Sequence, residues 1–184
     1  MRVIAGSAKG IRLAPVPAGV RPVSDRAREG LFSSLSADVP DALVLDLFAG
    51  TGALGIEALS RGAERAVFVE RSRGAVRALR ENLERTHLAE RAGVVASDVA
   101  AFLARDGGSA GGPFDLVLAD PPYETPAEEV DLVLAALSEG WLAPGAAVAL
   151  TRRSRSSTPV IRLHWRIAKR LEYGDSTVLI FREE

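Results

Sequence analysis

At 184 residues, with 47% hydrophobic and 26% charged side chains, the chain is sized for one globular domain whose sheet is covered on both faces. It has no cysteine, its two histidines (His87 and His164) fall in unrelated patterns, and it lacks an 18-residue apolar run or a signal-peptide core; a cytoplasmic protein without disulfides or a metal centre is expected. The formal net charge of −1 hides basic ends around an acidic middle: six Lys/Arg against two acids in residues 1–30, nine arginines against seventeen acids in 41–150, and eight basic groups against four acids in 151–184.

Arg2-Val3-Ile4-Ala5-Gly6 and Lys9-Gly10-Ile11-Arg12-Leu13 are short β-like runs around a turn and read as a basic hairpin with too few apolar residues for a core of its own. Pro15, Pro17, Gly19 and Pro22 make an extended linker, so residues 1–22 are expected to stand apart from a main domain at 23–184. Deleting residues 1–20 is then expected to spare the cofactor site.

Ser24 or Asp25 caps a predicted helix from Arg26 to Leu35, with Ala27, Leu31, Phe32 and Leu35 on its apolar face. A short buried strand, Val44-Leu45-Asp46-Leu47, runs into Phe48-Ala49-Gly50-Thr51-Gly52 and a helix from Ala53 to Arg61. Ala66–Glu70 is a second strand, Ser72 starts a helix to about Leu88, and Gly93–Asp98 is a third strand followed by a short helix to Arg105. The loop Gly107-Gly108-Ser109-Ala110-Gly111 formally matches G-x-S-x-G. It lacks the apolar strand before and the helix after that a nucleophile elbow needs, and is rejected. Phe114–Asp120 is a fourth strand, Ala127–Leu137 a helix and Ala146–Thr151 a fifth strand; Arg166–Glu172 and Thr177–Arg182 form a terminal hairpin. Alternating strands and helices predict an α/β fold with a doubly wound, mostly parallel sheet and one antiparallel hairpin strand.

Gly50-Thr51-Gly52-Ala53-Leu54-Gly55 matches the dinucleotide fingerprint G-x-G-x-x-G, and Glu70 lies about 20 residues further on. Asp46, at the strand tip, opposes that reading, because a carboxylate repels a pyrophosphate. It suits a cation such as the amino-acid end of S-adenosylmethionine. Four successive strands end in acids, Asp46, Glu70, Asp98 and Asp120, which places the acids along one sheet edge where α/β folds bind ligands. Asp46 with the Gly50–Gly52 turn is assigned the methionine end, Glu70 the ribose hydroxyls, and Asp98 the adenine amine. Phe48, Thr51, Arg71 and Val99 complete the cofactor set. In Asp120-Pro121-Pro122-Tyr123 two prolines fix an extended turn without competing N–H donors. Asp120 and the Pro121 carbonyl can then accept both hydrogens of a planar amine while Tyr123 stacks on its base.

The Asp46–Gly52 stretch resembles motif I of the Rossmann-like class I S-adenosylmethionine-dependent methyltransferases, and with Asp-Pro-Pro-Tyr the pattern resembles those acting on exocyclic nucleobase amines. The opening Arg2–Gly6, Lys9-Gly10, Leu13, Arg21-Pro22, Asp25-Arg26 and Arg28-Glu29 is similar to one subfamily, the RsmD-like bacterial guanine-N2 methyltransferases of 16S small-subunit ribosomal RNA. Val23-Ser24 departs from it, where threonine more often follows Arg-Pro. The resemblance implies N2 methylation of guanine 966 in a hairpin loop, on naked RNA or in an assembling subunit, by a monomer. Basic residues Arg2, Lys9, Arg12, Arg21, Arg26 and Arg28 are the candidate RNA contacts. The competing readings are an adenine-N6 or protein-glutamine methyltransferase, a non-catalytic RNA-binding assembly factor with a relict pocket, and a nicotinamide oxidoreductase.

Overall fold

A computed structural model describes residues 1–15, 23–105, 107, 110–154, 156, 159 and 165–183; Pro17, Gly19, Arg21, Pro22, Gly108, Ser109 and His164 lie outside them. The elements are α1 (Asp25–Ser34), β1 (Leu43–Leu47), α2 (Ala53–Ser60), β2 (Arg65–Glu70), α3 (Arg73–Thr86), β3 (Ala92–Ala96), α4 (Val99–Leu103), β4 (Phe114–Ala119), α5 (Ala127–Leu137), β5 (Leu142–Arg153), β6 (Trp165–Tyr173) and β7 (Ser176–Glu183). They form one seven-stranded sheet in the order β3-β2-β1-β4-β5-β7-β6, in which β1 to β5 pair in parallel and β7 runs antiparallel to both β5 and β6.

The chain leaves β1 toward β2 and β3, then returns to place β4 on the other side of β1. The winding therefore reverses between β1 and β4, and a crevice opens there at the carboxyl ends of the strands.

Period-two alternation divides the sheet residues between two apolar layers. Val44, Leu116 and Leu118 face a layer built with Leu31, Phe32, Ile56 and Leu79 from α1, α2 and α3. Leu45, Leu47, Val117 and Ala119 face one built with Phe102, Val133, Leu134 and Trp141. Asp46 shares the parity of Val44, so its side chain emerges on the α2 side of the sheet, beside the Gly55 backbone. Gly55 makes that approach possible, because a Cβ there would lie 2.9 Å from Asp46 Oδ2, and Gly52, at φ 82° in the left-handed region, starts α2 where a Cβ would lie 2.1 Å from Leu79 Cδ1.

The opening residues correct the expectation of an arm outside the core. The two runs do pair, through the antiparallel Arg2–Arg12 bridge and backbone hydrogen bonds of Val3 with Ile11 and Gly10 and of Leu13 with Met1, but Val3, Ala8 and Leu13 are buried in the α1–α2–α3 layer. Buried side chains of α2 and α3 hold the segment by its backbone. Glu57 accepts from the Ile4 and Ala5 amides at 2.8 and 3.0 Å, Ser60 Oγ from Ala8, and Asn82 Oδ1 from Ala14 at 2.7 Å. A few small apolar residues suffice because they complete an existing core. Deleting them exposes that core and unseats Met1, which lines the crevice.

Candidate cofactor and substrate cavity

The crevice at the β1/β4 reversal holds a cavity of about 650 Å³. Its walls come from the carboxyl ends of β1, β2, β3 and β4 and the loops that follow. Asp46, Phe48, Gly50, Thr51, Glu70, Arg71, Asp98, Val99 and Asp120–Tyr123 all line it. Of the sequence-predicted cofactor set only Gly52 does not, because it points into the Leu79 side of α2 instead. Ser97, Met1 and Val23 also line the cavity, and no motif marked them.

Asp46 is 1% exposed. Its Oδ2 accepts from the Gly55 amide at 2.9 Å, while Oδ1 is buried with no hydrogen-bond partner among the described residues. Burial pushes its pKa up to about 8, the Gly55 hydrogen bond opposes this, and the charges of Asp120 and Glu70 add to the rise. An orphaned buried carboxylate oxygen, destabilised as an anion and facing a cavity, is a receptor for a cation. A bound ammonium group would supply the missing donor and restore the ionised form.

Glu70 has a second task. Its Oε2 accepts from the Gly50 amide at 2.8 Å and its Oε1 from the Ser72 amide at 2.7 Å, which ties the glycine turn to the start of α3. Each oxygen keeps a second lone pair for a ligand hydroxyl. Asp98 is likewise less free than expected. Its Oδ1 caps α4 through the Ala100 and Ala101 amides, and its Oδ2 lies 3.5 Å from the Arg71 guanidinium. That leaves Oδ2 as the oxygen not committed to backbone amides.

At the end of β4, beside β1, burial pushes Asp120 up to about 7, and a hydrogen bond with Thr151 on β5 opposes the rise. The Thr125 amide donates to the Pro122 carbonyl, which folds Asp120–Thr125 back over the cavity. Tyr123 is half-buried, with its hydroxyl 2.5 Å from Ser176 Oγ and the Arg153 guanidinium 5.8 Å from its ring centroid. Thr151, Arg153 and Ser176 come from the C-terminal third of the chain and carry no local motif, so sequence reading missed them.

Among the candidate RNA contacts, Arg2, Lys9, Arg12 and Arg26 are exposed, and Arg21 lies outside the described residues. Arg28 is a correction. It is fully buried, donates to the Arg2 carbonyl and the Asp25 carboxylate at 2.7 Å each, and sits 4.0 Å from buried Glu57. Its charge holds the N-terminal segment to α1 and α2 and is not available to a phosphate.

Residues 1–182 match the family model described as Conserved hypothetical protein 95. Ribosomal RNA small subunit methyltransferase D of Escherichia coli K12 is 36% identical across all of this chain and 90% of its own length. The chain belongs to the ribosomal RNA small subunit methyltransferase D family. Solved structures agree. The Escherichia coli protein yhhF superposes with a TM-score of 0.87 at 34% identity, covering 100% of this chain and 98% of that one. A hypothetical protein of Thermus thermophilus does so with a TM-score of 0.83 at 34% identity, covering 98% of each. The same fold, at 14% identity and a TM-score of 0.70, over 85% of this chain and 48% of the other, recurs in SMU.776, solved in complex with SAH. Family membership thus covers the segment 1–15 as well as the sheet, and that segment is packed against α2 and α3.

Proposed function

We propose that the protein is an S-adenosylmethionine-dependent methyltransferase of small-subunit ribosomal RNA that acts on the exocyclic N2 amine of guanine 966. The reading is carried by two features that meet in one cavity, a buried carboxylate oxygen without a hydrogen-bond partner on β1 and an Asp-Pro-Pro-Tyr turn at the end of the neighbouring β4. Bound S-adenosylmethionine supplies a methyl group made electrophilic by a cationic sulfur. Asp46 Oδ1 takes the ammonium group of its methionine end, Glu70 the ribose hydroxyls, and Asp98 Oδ2 beside Val99 the adenine amine. The acidic lining, with Arg71 as the one cation among its named residues, favours this cationic ligand over a dinucleotide pyrophosphate.

The Asp120 carboxylate and the Pro121 carbonyl accept the two hydrogens of the target amine and turn its lone pair toward the methyl. As the new N–C bond forms, the methyl–sulfur bond would break with its electron pair left on the sulfur of S-adenosylhomocysteine, and Asp120, already raised to about 7, is suited to hold the proton that the nitrogen sheds. Tyr123 stacks on the guanine. Exposed Arg2, Lys9, Arg12 and Arg26 meet phosphates of the hairpin loop, so the basic N-terminal segment serves RNA recognition while remaining part of the core.

The test is to map methylated nucleotides by mass spectrometry in 16S ribosomal RNA from a strain lacking this protein, complemented with wild type or Asp120→Ala. One N2-methylguanosine, at position 966, should vanish, return with wild type and stay absent with the variant. Loss of an N6-methyladenosine instead, or an unchanged methylation map, would overturn the proposal.

A further inference from the structure

Tyr123 is held from outside its own loop. Its phenol oxygen lies 2.5 Å from Ser176 Oγ, and the Arg153 guanidinium lies over its ring. Ser176 opens β7 and Arg153 closes β5, and the two are direct partners in the antiparallel β5–β7 register. β5 in turn pairs with β4, whose end leads straight into the Asp120–Tyr123 turn. Sheet order therefore sets a paired corner of the C-terminal hairpin beside the proline turn, and among the described residues it is Ser176 that hydrogen-bonds the Tyr123 hydroxyl.

We propose that Ser176 and Arg153 are positioning residues for Tyr123, fixing its ring as the platform on which the target base stacks. The proposal rests on the reading of Tyr123 as the base-stacking residue. The hydrogen bond acts at the para position, farthest from the Cβ hinge, where one contact best suppresses ring and χ1 motion. The guanidinium takes one face, so the base is offered the other. Neither residue touches the reacting atoms. Their effect is to reduce the ordering that base capture would otherwise require.

Ser176→Ala and Tyr123→Phe each delete the same hydrogen bond, from opposite sides. Each should lower kcat/KM for an RNA hairpin substrate about three- to tenfold, mostly through KM, and the double variant should be no worse than either single one. Ser176→Thr, which keeps the hydroxyl, should recover most of the loss. Arg153→Ala should lower kcat/KM in the wild-type background and do nothing further in a Tyr123→Ala background. Cofactor affinity and unfolding midpoint should stay at wild-type values throughout, which separates positioning from damage to the fold. Tyr123→Ala is the control on the underlying reading. Wild-type turnover there would mean that Tyr123 is no base platform. If Tyr123→Ala is impaired while Ser176→Ala is not, or if Ser176→Ala and Tyr123→Phe multiply, the positioning role fails. Should Ser176→Ala misfold, Tyr123→Phe alone carries the test, and an unimpaired kcat/KM would refute it.

Discussion

Two carboxylates govern the cavity, and burial raises both for different uses. Asp120 must be ionised to accept amine hydrogens, so kcat/KM should fall as pH drops through about 7. Thr151 stabilises the charged form. Thr151→Val should move this acid limb to higher pH and Thr151→Ser should restore it; a limb that stays in place would remove Asp120 as the titrating group. Asp46, raised to about 8, is mostly protonated in the free protein at neutral pH. Capture of a cation favours its ionised form, so cofactor binding should release a proton at pH 7, and affinity should rise with pH up to about 8. Calorimetry in buffers of different ionisation enthalpy reads this directly, and heats independent of buffer would exclude it. The sign for stability is opposite. The unfolded chain releases this proton above about pH 4 while the native state keeps it, so native binding of an extra proton makes stability fall from about pH 4 to about pH 8. Asp46→Asn should remove the Asp46 share of that slope and leave the share of Asp120, stabilising the cofactor-free protein by a few kcal/mol (order of magnitude) at pH 8.5 but little at pH 4, while weakening cofactor binding. Urea midpoints at the two pH values check it.

Among the elements, α2 carries the largest structural responsibility after the sheet. One of its side chains, Glu57, is fully buried and receives the Ile4 and Ala5 amides, the Arg61 guanidinium at 2.7 Å and, more distantly, Arg28. Removing it leaves two amides and the Arg61 guanidinium without their acceptor and takes the nearby counter-charge from buried Arg28. Glu57→Ala should therefore cost about 3–5 kcal/mol, read as a shift of the denaturant midpoint. A shift of under about 1 kcal/mol would deny the staple. Asn82 links further, since its Oδ1 accepts from Ala14 and its Nδ2 donates to the Thr51 carbonyl at 2.9 Å. The N-terminal segment and the cavity-lining turn thus share one buried amide, and Asn82→Ala should weaken cofactor binding although Asn82 does not line the cavity. Most element bounds were legible to within a few residues. α5 matches its predicted span, Ser24 and Ser72 cap α1 and α3 as their residue types suggest, and β5 extends further at both ends than its apolar run. The N-terminal segment was misread because a run of alternating small and basic residues signals a hairpin equally well whether its apolar members are solvated or complete a neighbour's core.

For the whole molecule, the separation of an acidic cavity from exposed basic residues on the N-terminal segment and α1 divides two kinds of ligand by sign. Neutralising Arg2, Lys9 and Arg12 together should weaken RNA binding and reduce the slope of log K against log salt by up to about two to three, measured by filter binding. Cofactor affinity should not change. An unaltered slope would move the RNA contacts elsewhere on the surface. Saturating cofactor should also raise the unfolding midpoint, equivalent to about 2.7 kcal/mol at a hundredfold excess over Kd.

Local chemistry determined a great deal unaided. Hydrophobic period specified strands and helices, and the acid at the tip of β1, the glycine turn after it and the Asp120–Tyr123 turn were legible as the lining of one cavity, because each depends on residues within about one turn or strand of one another. Tertiary structure decided what depends on distant partners. Arg28 is a buried strut because Glu57 and the Arg2 carbonyl converge on it. Gly52 sits against Leu79 and does not line the cavity, and the Glu70 and Asp98 carboxylates hold backbone amides. Thr151, Arg153 and Ser176 reach the site only because β5 lies beside β4 in the sheet and β7 beside β5. Sequence spacing encodes which residues share a face of one element; it does not encode which face of another element they meet, and burial and hydrogen-bond partnership are settled by that meeting.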